Sequence, residues 1–440
     1  MAVEYVIVGS GVAGIAAAES LRTRVPGASI TLVTEDPAGF YSRPGLAYYL
    51  SGIVPKDQLF PRSPAELRAL GLAWIDGRVT QILPREHRLE LADGRKLAYD
   101  RLLLATGTHA IPPDFPGGEV TGVFMLDTLH DANQLIRAAR RGVTAVVVGG
   151  GITALELVEG LVARGCQVHY LMRGARYWAN MLDAEESQLV EERLRAHGVE
   201  LHPHTRIRQA HGVRGKLSFI ETDAGAKLPC TLLAVAIGTR PRLELAQQAG
   251  IATDRGILAN EYLQTNVADI FAAGDVAQVR DPRTGKATLD TLWPTARAHG
   301  MAAALTMAGT LTPYQRSVST NVTLLAGIPT TMVGAVGSGS DTDLMAIARG
   351  DSETWLDTPA QWVVVERHDV SRMRLMLGDT NLRGALVMGD QTLVDPVREL
   401  INANVDITAI RNELLAPNTD IRSLIYSFWR DWEAKNGTGR

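Results

Sequence analysis

A chain of 440 residues, 46% hydrophobic and 21% charged, has enough apolar material for two or three cores and no compositional sign of disorder. Its 44 basic and 48 acidic side chains leave a formal charge of −4, which gives no bulk attraction to nucleic acid or to an anionic membrane. The first residues enter a strand without the basic, apolar and small-residue succession of a secretory leader, and no uncharged apolar run approaches a membrane span, so a cytoplasmic protein is expected.

Residues 3–8 predict a buried strand, and residues 12–21, small and apolar, predict a helix packed closely on a sheet. Between them stands Gly9-Ser10-Gly11-Val12-Ala13-Gly14. Gly9 lets the chain turn sharply, Gly11 lets a pyrophosphate approach backbone N–H groups at the helix start, and Gly14 lets helix and strand pack closely. A second strand, residues 29–33, leads to Glu35, 21 residues beyond Gly14, where an acid can hydrogen-bond a ribose diol. Asp36 is the alternative within the register error. Residues 40–50 follow, Phe-Tyr-Ser-Arg-Pro-Gly-Leu-Ala-Tyr-Tyr-Leu, and Arg43-Pro44 reads as a helix start with Pro at the first position. Residues 102–107 form an apolar strand ending in Ala105-Thr106-Gly107.

A second fingerprint, Gly149-Gly150-Gly151-Ile152-Thr153-Ala154, begins 140 residues after the first, between a strand over 143–148 and a helix over 154–162. Ala154 replaces the third glycine, which the motif tolerates. The following strand, 167–171, ends in Met172-Arg173-Gly174-Ala175-Arg176, with no acid for a ribose 2′-hydroxyl. Arg173 and Arg176 suit a 2′-phosphate, favouring NADPH over NADH; the alternative is two solvated arginines. Glu156 lies early enough in the helix to favour its dipole. Cys166 and Cys230 are far apart and outside any CxxC, so they suggest buried thiols and neither a disulfide framework nor a zinc site; no metal is expected.

Residues 270–275 make another apolar strand, closing in Gly274-Asp275, and residues 291–297 open a small-residue helix that contains Trp293. From 314 onward short β-rich segments take over, at 318–325, 330–336, 362–366, 372–377 and 382–388. Asp395-Pro396 reads as an N-cap and first-turn pair opening a helix to about 403, and residues 407–415 predict another. A third helix starts near Thr419 or Asp420 and sets Ile421, Leu424, Ile425, Phe428, Trp429 and Trp432 on one face, either to pack on the protein's own body or to meet a partner or second subunit. Sets of His or Cys fit to hold an iron-sulfur cluster are absent, so a cluster has to come on another polypeptide.

In order and spacing, the Gly9 fingerprint, the Ala105-Thr106-Gly107 strand end and the Gly274-Asp275 pair resemble the three FAD-binding segments of the pyridine nucleotide-disulfide oxidoreductase superfamily, over about residues 3–395. The resemblance implies an α/β fold of two Rossmann-like domains, the second inserted in the first. FAD would occupy 1–115 and 245–312 and NAD(P)H 116–244; a small α+β interface domain would span 313–394, and a helical extension 395–440. It implies that Asp275 holds the flavin ribityl chain and that Glu156 reaches toward flavin and nicotinamide. Trp293 borders the ring at a helix end whose partial charge favours reduced flavin, unless it is simply a core residue. Val79, Arg43, Pro44 and Gly238 complete the cofactor set.

Disulfide reductases of this superfamily carry paired cysteines in the segment matching residues 40–50, and coenzyme A-disulfide reductases and water-forming NADH oxidases carry one, where Pro44 stands here. No thiolate can act at that place. The ferredoxin, rubredoxin and nitrite reductase branch instead has Arg-Pro-x-Leu-Ser-Lys, which Arg43-Pro44-Gly45-Leu46 matches before Ala47 and Tyr48 replace Ser and Lys. The lysine charge that pairs with the helix Glu is therefore missing, and Tyr48 is left as its hydrogen-bonding substitute. The implied activity is transfer from NAD(P)H through FAD to an iron-sulfur or rubredoxin-like protein. An NAD(P)H oxidase or peroxidase, and a non-catalytic FAD-containing subunit or redox sensor, are the alternatives.

Overall fold

A computed structural model describes residues 3–282, 285–336, 371–416 and 419–436. Their contacts define two compact units: one of residues 3–179 and 184–316, the other of 180–183, 317–336 and the described residues from 371 onward.

The first unit is built on two parallel sheets of five strands each. One has the order Ile270–Ala272, Arg101–Leu104, Glu4–Val8, Ser29–Thr34, Ala73–Asp76. Its strands are nearly continuous apolar runs because both faces are covered; Ile7, Leu32, Leu102 and Leu103 are all 0% exposed. Helices Val12–Arg24 and Trp293–Met307 pack together, and Gly300 makes this possible: a Cβ there would stand 2.1 Å from the Ala13 carbonyl oxygen. The second sheet has the order Glu200–His202, Gln167–Leu171, Thr144–Gly149, Leu232–Ala236, Val123–Phe124. An antiparallel meander, Ile207–Val213, Lys216–Thr222 and Lys227–Pro229, shares a core with it through Val146, Leu171, Ala210, Leu217 and Ile220. The chain passes between the sheets twice, outward along Thr108–Ala110 and back along Thr239–Pro241, and these two segments pair antiparallel.

Element bounds differ from expectation by a residue or two, as helix ends usually do. Two differences have local causes. Pro44 is the N-cap of helix Gly45–Ser51 and not its first residue, because the Ser42 hydroxyl accepts from the Gly45 N–H at 3.2 Å and so closes the turn one step later. Asp395 lies inside helix Val394–Asn402 and does not cap it; there it pairs with Arg398 at 2.7 Å.

The second unit contains a four-stranded antiparallel sheet, in the order Thr320–Leu325, Ile328–Gly334, Leu382–Gly389, Ser371–Leu377. The strand expected at 362–366 lies outside the described residues. Helices Val394–Asn402, Thr408–Leu414 and Ile421–Asn436 share a core with this sheet. The aromatic face of the last helix is used there: Ile425 is 0% exposed, Phe428, Trp429 and Trp432 pack against the cluster, and the Trp429 indole N–H donates to Glu399 at 2.8 Å. That face packs within its own unit, one of the two uses expected for it.

Candidate functional site

At the first glycine turn three distant segments meet backbone to backbone. Gly9 has φ +113°, and a Cβ on it would stand 2.2 Å from the Ala105 carbonyl oxygen; one on Gly14 would stand 2.0 Å from the Gly9 carbonyl oxygen. Gly274 presses on the same place, since its Cβ would come within 2.9 Å of Ala13 Cβ. The Gly9 turn, the Ala105-Thr106-Gly107 strand end and Gly274-Asp275 thus come together at one place. Gly11 and Gly107, by contrast, have nothing within 4 Å of a Cβ, and no side chain caps the helix that Gly11 begins. An uncapped helix start beside open space is what an anionic phosphate needs.

Side chains lock the surroundings. Ser10 and Thr34 hydroxyls are 2.8 Å apart, which ties the turn to the second strand. Asp36 is engaged locally, accepting from the Tyr41 hydroxyl at 2.8 Å and the Ala38 N–H at 3.0 Å. Glu35, at the strand end, meets Arg242 at 3.0 Å and Arg78 at 3.7 Å and keeps 46% of its side chain exposed. Arg242, which no sequence signal marked, also donates to the Thr108 carbonyl at 3.3 Å and lies 3.7 Å from Asp127. Asp127 in turn is 3.7 Å from Arg43. Burial disfavours the Arg43 charge, but Tyr41, Asp127, Asp36 and Asp275 outweigh it and hold the guanidinium above its ordinary pKa. Arg43 therefore sits in an acidic surround that includes the Asp of the Gly-Asp pair.

Val79 is 5% exposed at the start of a strand, its side chain belonging to the core, so only its backbone can face a ligand. Trp293 is 9% exposed in that core and stacks on Phe40, with ring centroids 6.0 Å apart and planes 20° from parallel. It opens helix Trp293–Met307, which has no side-chain cap. Nearly two turns further in stands His299, which nothing in the sequence marked: it is 2% exposed, and burial, with Arg316 nearby, pushes its pKa down to about 3 against a small opposing influence of the Gly274 backbone.

The second turn repeats the pattern with more room. Gly149 has φ +154° and its Cβ would stand 2.3 Å from the Ala236 carbonyl oxygen, while Gly150 is open for 4 Å and Gly151 begins helix Ile152–Ala163 without a side-chain cap. Gly238 has φ +121°, at the returning crossover. Ile152 is buried, and Glu156 is 9% exposed near Tyr177, whose hydroxyl is pushed far up by burial, with Tyr170, Glu159 and Glu156 adding to the shift. Helix Gly45–Ser51, which carries Tyr48, packs on the helix of Glu156 through Gly160, where a Cβ would meet Leu50 at 2.7 Å. Arg164, also unforeseen, caps that shorter helix by donating to the Leu50 carbonyl at 2.6 Å. Arg173 is exposed just past the strand, whereas Arg176 turns back to the Ala179 carbonyl at 3.4 Å. Both cysteines are free, buried and raised in pKa by burial, Cys230 to about 12; Cys166 donates to the Arg140 carbonyl.

Comparison with known proteins agrees with this geometry. Residues 3–300 match the family described as pyridine nucleotide-disulphide oxidoreductase, and the chain belongs to it. It is 32% identical over 334 residues to the 3-phenylpropionate/cinnamic acid dioxygenase ferredoxin--NAD(+) reductase component of Photorhabdus laumondii subsp. laumondii, covering 75% of this chain and 84% of that one. It is 29% identical over 326 residues to the NAD(P)H sulfur oxidoreductase (CoA-dependent) of Pyrococcus abyssi, covering 72% of each. The fold is that of the ferredoxin reductase for the CYP199A2 system from Rhodopseudomonas palustris, with TM-score 0.81 and 22% identity over 96% of this chain and 99% of that one. The protein is an FAD-dependent oxidoreductase that works with a nicotinamide dinucleotide. Among the described residues no helix is long and apolar enough to cross a membrane.

Proposed function

We propose that this flavoprotein carries electrons from NAD(P)H, with NADPH preferred, to an iron-sulfur or rubredoxin-like protein. The observation that carries the reading is Pro44: the helix that begins beside the flavin-type turn is capped by an imino acid, and both thiols of the chain are buried in the other sheet's domain. No sulfur stands ready to take electrons inside the protein, so they leave it.

FAD, when bound, supplies the change from two-electron to one-electron transfer. The chain's own groups position it. Gly11, Val12 and Ala13 would offer backbone N–H groups to the pyrophosphate, Glu35 the ribose contact and Asp275 the ribityl contact. Arg43, drawn to Asp275 by charge, would help hold it in place. The uncapped start of helix Trp293–Met307 would offer partial positive charge to the reduced ring system, with Trp293 and Phe40 as its apolar floor. Gly149, Gly150 and Gly151 would hold the dinucleotide pyrophosphate, Glu156 and Tyr48 would align the nicotinamide, and exposed Arg173 would recognise a 2′-phosphate.

Anaerobic stopped-flow mixing with NADH and with NADPH, followed by mixing with an iron-sulfur protein or rubredoxin, tests the reading. Rapid flavin bleaching, faster with NADPH, and then reoxidation by the added protein are expected. Fast oxygen consumption by the isolated protein, with no gain from an added partner, would overturn it in favour of an oxidase.

A further inference from the structure

Away from both glycine turns, two strands of the second parallel sheet bring three metal-ligating side chains together. Glu200–His202 is the edge strand and pairs in parallel with Gln167–Leu171, setting His169 opposite Glu200 and Leu171 opposite His202. Alternate residues of a strand share a face, so His169, Glu200 and His202 leave the sheet on one side. His169 Nδ1 lies 3.1 Å from His202 Nε2 and 3.2 Å from Glu200 Oε2, and one donor atom from each residue falls within 4.8 Å of the others. Two ligands held about 2.0–2.2 Å from a zinc ion, at tetrahedral to right angles, stand roughly 2.8–3.6 Å apart, so these two edges already have the length a bound ion sets.

A hydrogen bond alone explains the cluster poorly. Both partners converge on the same nitrogen of His169, which carries at most one proton, and one N–H does not point at two acceptors equally well. A cation with several open positions satisfies all three donors. The site is also enclosed below and open above, since the His169 side chain is 17% exposed and that of Glu200 69%.

We propose that His169, Glu200 and His202 form a zinc site, with water completing the coordination shell. Two imidazoles and a carboxylate suit zinc among the borderline divalent ions. The ion would staple the edge strand to its neighbour. That strand also holds the loop beyond residue 171, through Met172 N–H to the His202 carbonyl at 2.9 Å and Thr205 N–H to the Met172 carbonyl at 3.0 Å.

The test uses the full-length flavoprotein, stripped with a chelator, dialysed and titrated with zinc chloride against a competing chromophoric chelator. About one zinc per chain is expected, with X-ray absorption showing two imidazole nitrogens at about 2.0–2.1 Å. Binding should vanish in H169A/H202A and weaken at least about tenfold in Glu200→Gln, since even groups that merely orient a ligand carry that much affinity. Flavin content and circular dichroism confirm folding. If the double variant fails to fold, Glu200→Gln and the absorption spectrum decide alone, because Glu200 is exposed. Absence of saturable zinc uptake, undiminished uptake by folded variants, or a shell without imidazole overturns the proposal.

Discussion

The two dinucleotide turns carry nearly the same glycine pattern but differ in how tightly their neighbours enforce it. At the first, Gly9 and Gly14 each face a carbonyl oxygen across a gap too small for any side chain, and Gly274 closes from a third direction. At the second, only Gly149 is pinned; Ala154 fits where Gly14 could not be replaced, and a Gly149 Cβ would meet the Ala154 methyl at 2.7 Å. The first turn is fixed by backbone against backbone, the arrangement expected for a cofactor that stays. The second, looser by a methyl group, suits one that comes and goes.

The strongest way to break this comparison is a pair of alanines. Gly9→Ala combines φ +113° with a 2.2 Å approach to a carbonyl and should yield protein without flavin, read as loss of the flavin absorbance relative to that at 280 nm. Gly150→Ala enters open space; it should keep its full flavin while the KM for NAD(P)H rises about tenfold, roughly 1.4 kcal/mol. Full flavin in Gly9→Ala would end the distinction.

His299 is buried on the helix that packs beside Gly274, and its titration sharpens the same point. Its pKa is about 3 folded against an ordinary 6.5. The stability tied to its neutrality is therefore complete above pH 6.5 and falls as the pH drops toward 3, with a slope of about 1.4 kcal/mol per pH unit from this one group. Unfolding free energies from urea titrations between pH 7 and about pH 4.5 should fall more steeply in the native protein than in His299→Gln, the difference approaching that slope below pH 6. Parallel curves would show that burial does not depress the titration of this histidine.

Smaller effects belong to the two strand ends. Arg173→Gln should lower kcat/KM for NADPH about tenfold and leave that for NADH unchanged. Equal losses with both would remove the 2′-phosphate contact. Glu35→Gln should weaken flavin by less than about 1 kcal/mol in a dissociation titration, because its carboxylate is half exposed and its ion pairs are with partly exposed arginines.

What the sequence made legible is what lies close along the chain. A strand, a glycine turn and a helix declare themselves within some twenty residues, so both turns, the acid at residue 35 and the loss of cysteine at Pro44 could be read directly. Arg242 and Arg164 could not, since each acts on backbone groups far away in sequence, nor could His299, and an isolated arginine or histidine carries no periodicity to betray it. Trp293 shows the intermediate case: its helix was evident, its stacking on Phe40 was not. The His169, Glu200 and His202 cluster fails for the same reason, because only the register of two parallel strands brings position 169 beside 200 and 202.

The paired crossover of Thr108–Ala110 with Thr239–Pro241 constrains movement as well as connecting the two sheets. A body joined by one strand can swivel in any direction. One joined by two strands bonded side by side is stiffer against twisting. Here the packing of helix Gly45–Ser51 on helix Ile152–Ala163 and the Arg164 bond to the Leu50 carbonyl add a second tie beside the crossover, and a protease must cut both crossover strands to separate the two sheets.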